Sequence, residues 1–237
     1  MADAAEVAGL RTWALTDHVT AEDTWIVEYA AMVRSVERDG VTVRCGVETT
    51  VLDQRGHLDM PGRLPFLDHA VVTVVDLPGR GGPVDPAVVR ERLRTGALDT
   101  AGVVDAVVTA TVNAVRNTPA RPVVGRLFSL LPLLGLADAD TVVGDDHLQA
   151  LAAACRATGG AVEVNERWRA PTAGIATRLA AAGVHLVAGS DATDPGGVGA
   201  YRYVAGLTGA ETTDLADLLG LDSLDIALDP MADVVAS

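Results

Sequence analysis

The chain has 237 residues, with 18 Lys and Arg against 32 Asp and Glu and a net charge of −14. That acidic surplus excludes nucleic acid and anionic membrane surfaces as default partners. A composition 49% hydrophobic and 21% charged excludes disorder, and the length suits one domain spanning residues 1–237.

The first residues, Met1-Ala2-Asp3-Ala4-Ala5-Glu6, lack the basic and apolar segments of a secretory leader, and residues 4–10 read as a helix. Short β-branched runs then alternate with segments of helical period. Strands are expected at 12–15, 41–47, 70–75, 122–125, 161–165 and 184–188. Helices are expected between them at 21–38, 85–94, 101–117, 145–158 and 171–182, each opening near Pro, Asp or Thr. Glycines at 40, 159, 160 and 183 fall just before strands, where a helix ends or a tight turn begins. The Gly/Pro-rich stretch 77–86 reads as an extended loop. This alternation is the pattern of βα units around a parallel sheet, an α/β fold.

Only 3% of residues are aromatic, so the core must be built from Ala, Val and Leu, which suits helices packed on a parallel sheet. All the basic residues are Arg, which rules out Schiff-base and P-loop lysine chemistry. Cys45 and Cys155 read as buried free thiols. The most apolar stretch, 123–136, is interrupted by Arg126 and Pro132, so no membrane span is expected and the cytoplasm is the expected compartment.

Functional residues of a parallel barrel lie at the C-terminal ends of its strands. Those ends carry Asp17 and His18, Glu48, Val75-Asp76, Arg126, Glu163 and Asn165, and Ser190-Asp191-Ala192-Thr193. Three of these segments, Leu15-Thr16-Asp17-His18, Gly46-Val47-Glu48 and Gly189-Ser190-Asp191-Ala192, resemble motifs of the PHP (polymerase and histidinol phosphatase) family in order and spacing. Gly56-His57-Leu58-Asp59-Met60-Pro61 is similar to that family's G-x-L-D-x-P stretch. Leu127-Phe128-Ser129-Leu130-Leu131-Pro132 is similar to the run after its fourth-strand histidine. The segments from Val162 to Pro171 and from Gly199 to Val204 resemble bacterial PHP sequences near the end of the domain.

The resemblance implies a distorted TIM-like (β/α) barrel and a cluster of metal ions, held by histidines and carboxylates, that hydrolyses phosphate esters. Metals polarise phosphoryl oxygens and supply hydroxide near neutral pH. By resemblance, His18, Glu48 and Asp191 match metal ligands, and Asp17, His18 and Asp191 are the candidate catalytic residues. The departures from the family pattern are as informative. The founding H-x-H strand has no counterpart, since the chain begins with the helix at 4–10. Val75, Arg126 and Thr193 stand where the family has histidines. Arginine is permanently charged and repels a cation.

Of the other histidines, His57 lies in a loop and reads as solvent-exposed, whereas His69, His147 and His185 should face away from the site. The expected function is therefore a PHP-like protein with a degenerate metal site, impaired in catalysis and binding a small anion through Arg126 and Arg169. Its cofactor content would be at most one weakly held divalent ion, Zn or Mn. The alternatives are a hydrolase acting on a phosphate ester with one metal on His18, Glu48 and Asp191, and a fragment whose first strand comes from elsewhere. Loss of the first strand would leave the strands starting near Thr12 and Val184 with open edges. A homodimer, or the segment 222–235 folding over in cis, would cover them.

Overall fold

Alternate strand residues separate a mainly apolar face, which the helices cover, from a face that gathers most of the glycine, polar and charged groups. The computed structural model describes residues 1–62, 64, 66–136, 138–208 and 224–228. In chain order the elements are α1 (Ala2–Val7), β1 (Thr12–His18), α2 (Ile26–Arg34), β2 (Thr42–Thr50), β3 (His69–Thr73), β4 (Leu77–Gly79) and β5 (Gly82–Val84). There follow α3 (Pro86–Arg94), α4 (Thr100–Asn117), β6 (Arg121–Val124), α5 (Leu130–Leu133), α6 (Ala139–Val142), α7 (Asp145–Thr158) and β7 (Ala161–Asn165). Last come α8 (Ala173–Ala181), β8 (His185–Gly189), α9 (Arg202–Thr208) and β9 (Leu224–Leu228).

The main sheet has the order β8-β7-β6-β3-β2-β1-β9, and every pairing in it is parallel. The strands β8 to β1 curl into a half-barrel, compatible with a TIM-like barrel. One face of this sheet is apolar: Leu15, Cys45, Val47, Ala70, Val72, Val124, Val162, Val164 and Leu186 are all buried on it. Val72 and Val124 meet Val107 and Thr111 of α4, which places the helices on that side. The opposite face collects Thr16, Gly46, Glu48, His69, Arg121, Glu163, Asn165 and Gly189, as the registers Thr16↔Gly46, Gly46↔His69 and His69↔Arg121 require. Both cysteines are free and buried, and burial pushes each thiol up to about 11.

Stretch 77–86 is not an extended loop. It forms an antiparallel β4–β5 hairpin in which Gly79 pairs with Gly82, and Gly82, at φ +122, adopts a conformation closed to other residues. The helix expected at 21–38 begins only at Ile26. Asp23 holds the chain before it in a turn, accepting from the Thr20 N–H at 2.6 Å and from Trp25 Nε1 at 2.9 Å. The cover considered for the β1 edge is present within the chain, because β9 pairs with β1 from Thr12↔Leu224 to Thr16↔Leu228 and also lies beside β8. The rest of the 222–235 segment lies outside the described residues. No helix among the described residues is long and apolar enough to cross a membrane.

Candidate functional site

The site grows from the ends of β1 and β2, where His18 and Glu48 are register partners on the polar face. His18 Nδ1 stands 3.9 Å from Glu48 Oε1, with the imidazole half exposed and the carboxylate buried. Asp17 has the opposite parity and faces the helix side, and its Oδ1 accepts the His18 backbone N–H at 2.8 Å. The strand therefore separates the Asp17 side chain from the face that His18 and Glu48 share.

Beyond β6 the chain turns sharply at Gly125. A Cβ there would lie 2.4 Å from Val71 Cγ1. Arg126 then adopts a left-handed φ of +46, and its N–H donates to Glu163 Oε2 at 3.0 Å. This turn sends the side chain across the polar face, where Nη2 donates to Glu48 Oε1 in a buried ion pair. The guanidinium also lies over the Trp168 ring, 5.0 Å from its centroid. Trp168 is itself held by its N–H donating to Asn165 Oδ1 at 2.8 Å, within a loop whose ends are tied by Asn165 N donating to Ala170 O. Ion pair, stacking and backbone geometry thus converge on one guanidinium, whose Nε is buried without a partner.

Glu163 is buried deep in the same group because Gly189 leaves room for it: a Cβ on Gly189 would fall 2.0 Å from Glu163 Oε1. Burial pushes its carboxyl up to about 8, and the negative charges of Glu48 and Asp191 push in the same direction. Hydrogen bonds from Asn165 and the Arg126 amide oppose the shift without cancelling it. Glu163 thus feels two other carboxylates here and favours its protonated form, while Arg126 pairs with Glu48.

Beside this cluster lies an open cavity of about 820 Å³, lined in part by Arg167, Arg169, Asp191, Thr193 and Arg202. Arg126 does not line it, so the two arginines expected to share an anion are set in different places. Arg169 and Asp191 both take left-handed conformations, φ +50 and +52, at the cavity wall. Such strain in non-glycine residues gathers where function fixes the backbone. Glu166 forms the wall below them, accepting the Tyr203 and Val204 N–H groups at 2.7 and 3.0 Å.

Among the described residues, no group of three or more His, Cys, Asp and Glu is placed to hold a metal ion. His18 reaches only Glu48, and the Glu48 oxygen it approaches already accepts from Arg126. This donor set does not fit the cluster of ions that the resemblance implies. His57 lies exposed in its loop, its Nδ1 2.8 Å from Asp53 Oδ2. His147 is paired with Asp105 at 2.8 Å, and His69 and His185 sit at the N-terminal ends of β3 and β8.

Trp168 escaped the sequence reading, and the strand-end position of Glu163 fits a rim hydrogen bond as well as a substrate contact. A lone tryptophan between two arginines was the available signal for the first, and the isolated acid in the apolar run Ala161–Asn165 for the second.

Fold and site together define a parallel α/β half-barrel whose polar centre is an arginine–carboxylate cluster. No protein-family model matches the chain, and no curated protein matches it significantly.

Proposed function

We propose that the chain is a PHP-type barrel protein in which Arg126 replaces a metal ion. In this reading it binds a small anion, such as a phosphate ester, and hydrolyses it feebly or not at all. The observation that carries the proposal is the Arg126–Glu48 ion pair, stacked on Trp168 and buried at the strand ends. A guanidinium delivers one fixed charge to the carboxylate, yet it cannot generate hydroxide from bound water as a divalent ion does. Arg126 spends its charge on Glu48. The ligand's charge is then left to Arg167, Arg169 and Arg202 around the adjoining cavity.

The alternative, a one-metal phosphoesterase using His18, Glu48 and Asp191, is favoured by the negative charges of Glu48 and Asp191, which add to burial in raising the Glu163 carboxyl. A divalent ion would offset those charges. The two readings separate in one experiment, which follows thermal unfolding and hydrolysis of p-nitrophenyl phosphate with and without Mn or Zn. We expect the ester to raise Tm without metal, Arg169→Ala to remove that rise, and turnover to stay near background. Metal-dependent turnover abolished by His18→Ala and Asp191→Ala would establish the hydrolase instead.

A further inference from the structure

The polar face of the sheet has a second end. At the N-terminal edge of the strands a cavity of about 260 Å³ opens between β1, β2, β3, β6 and β8, lined by Arg44, Asp68, His69, Arg121 and His185 among others. In a chain of net charge −14, two arginines against one acid around one cavity leave a local surplus of positive charge. The single acid there, Asp68, is already engaged. It accepts the Cys45 N–H at 2.8 Å and pairs with Arg44 and Arg34 at 3.6 and 3.5 Å.

His69 carries the decisive observation. Its ring is 2% exposed and fits where Gly46 lacks a side chain, since a Cβ on Gly46 would lie 2.0 Å from Nε2. Nε2 is bonded to Thr16 Oγ1 at 3.0 Å, while Nδ1 is buried with no partner. Leaving a buried ring nitrogen unmatched costs free energy unless something fills the gap. If the Thr16 hydroxyl donates to Nε2, Nδ1 bears the hydrogen and is a donor in search of an acceptor. Arg121 commits Nε to Gly159 O at 3.0 Å, and its terminal nitrogens form no bond among the described residues.

We propose that this N-terminal cavity is a separate binding site for a small oxyanion, a phosphate or carboxylate group held by Arg44, Arg121 and the Nδ1–H of His69. The volume, several times the ~30 Å³ share of one water, admits such a group with room for water beside it. The site is independent of the arginines at the other end of the strands, and it stands whether or not the proposed function does. Calorimetric titration of the full chain with inorganic phosphate and, separately, with succinate tests it. Saturable binding of at least one is expected in an Arg169→Ala background, which removes the other proposed anion site, and is weakened there about tenfold or more by Arg121→Gln and by Arg44→Gln. Both glutamine variants sit at the rim and are checked for folding by circular dichroism. On saturation the ¹⁵N resonance of His69 Nδ1 should shift. Absence of saturable binding, binding lost only in Arg169→Ala, or a silent His69 resonance would overturn the proposal.

Discussion

Arg126 does at one point what a bound cation does elsewhere, and its surroundings show how a side chain is made to do so. The left-handed backbone aims it, Trp168 carries its flat face, and Glu48 receives its charge. Arg126→His should therefore place a neutral imidazole beside His18 and Glu48, raising Mn or Zn retention after dialysis above that of the native chain. Elemental analysis showing no gain would mean that the carboxylates are not arranged for a metal even without the guanidinium. Glu163 makes a pH prediction. Its folded pKa of about 8 lies above its ordinary 4.5, so the folded chain holds an extra proton between those values. Its contribution is whole below about pH 4.5 and is lost as pH rises toward 8, at up to about 1.4 kcal/mol per pH unit. His69 acts in the other sense. Burial lowers it to about 4 from 6.5, so its contribution is present above 6.5 and lost as pH falls toward 4. The two slopes oppose each other below 6.5, which leaves the interval from 6.5 to 8 to Glu163. Urea unfolding in that interval should show stability falling with pH in the native chain and flat in Glu163→Gln. An unchanged slope in the variant would place the titrating proton elsewhere.

At the scale of elements, the strand and helix pattern was legible wherever the local signal was strong. The helix at 145–158 and the strand at 161–165 have the expected bounds, because Gly144 and the left-handed Gly159 bracket α7 and a β-branched run follows at once. The β4–β5 hairpin was not legible, since Pro and Gly, which disfavour strands, fill two of the three positions in both Leu-Pro-Gly and Gly-Pro-Val. Strand-end reading named His18, Glu48 and Arg126, which the structure brings together. It could not give the parity that separates Asp17 from them, which depends on register, nor the stacking of Trp168, which depends on a loop fold. The caps, by contrast, are purely local. Asp99 opens α4, the longest helix among the described residues, by accepting the Gly102 N–H at 2.7 Å. Asp99→Ala should cost about 1 kcal/mol in urea unfolding, with the cluster at the strand ends untouched. A change below a few tenths of a kcal/mol would show that the helix is held by packing of its buried valines alone.

For the whole molecule the question is how a curled sheet ends. A parallel half-barrel leaves the outer side of β1 with unpaired N–H and C=O groups, and such an edge recruits any strand at hand. Here the recruit is β9, which pairs along Thr12–Thr16 in parallel and passes beside β8. That placement supplies within one chain the cover for which a homodimer was expected, and it ties the last described segment to the strand that carries His18. Removing residues 224–237 should therefore act on both association and stability. The shortened chain should unfold at a lower temperature, because ladder hydrogen bonds to β1 are lost. It should also self-associate more strongly than the full chain at equal concentration, because the exposed edge finds a second copy. Light scattering over a concentration series, run on both chains, measures this directly. Equal masses at every concentration and equal melting temperatures would mean that β1 needs no cover, and the curvature of the sheet would then have to be maintained by the helices packed on its apolar face.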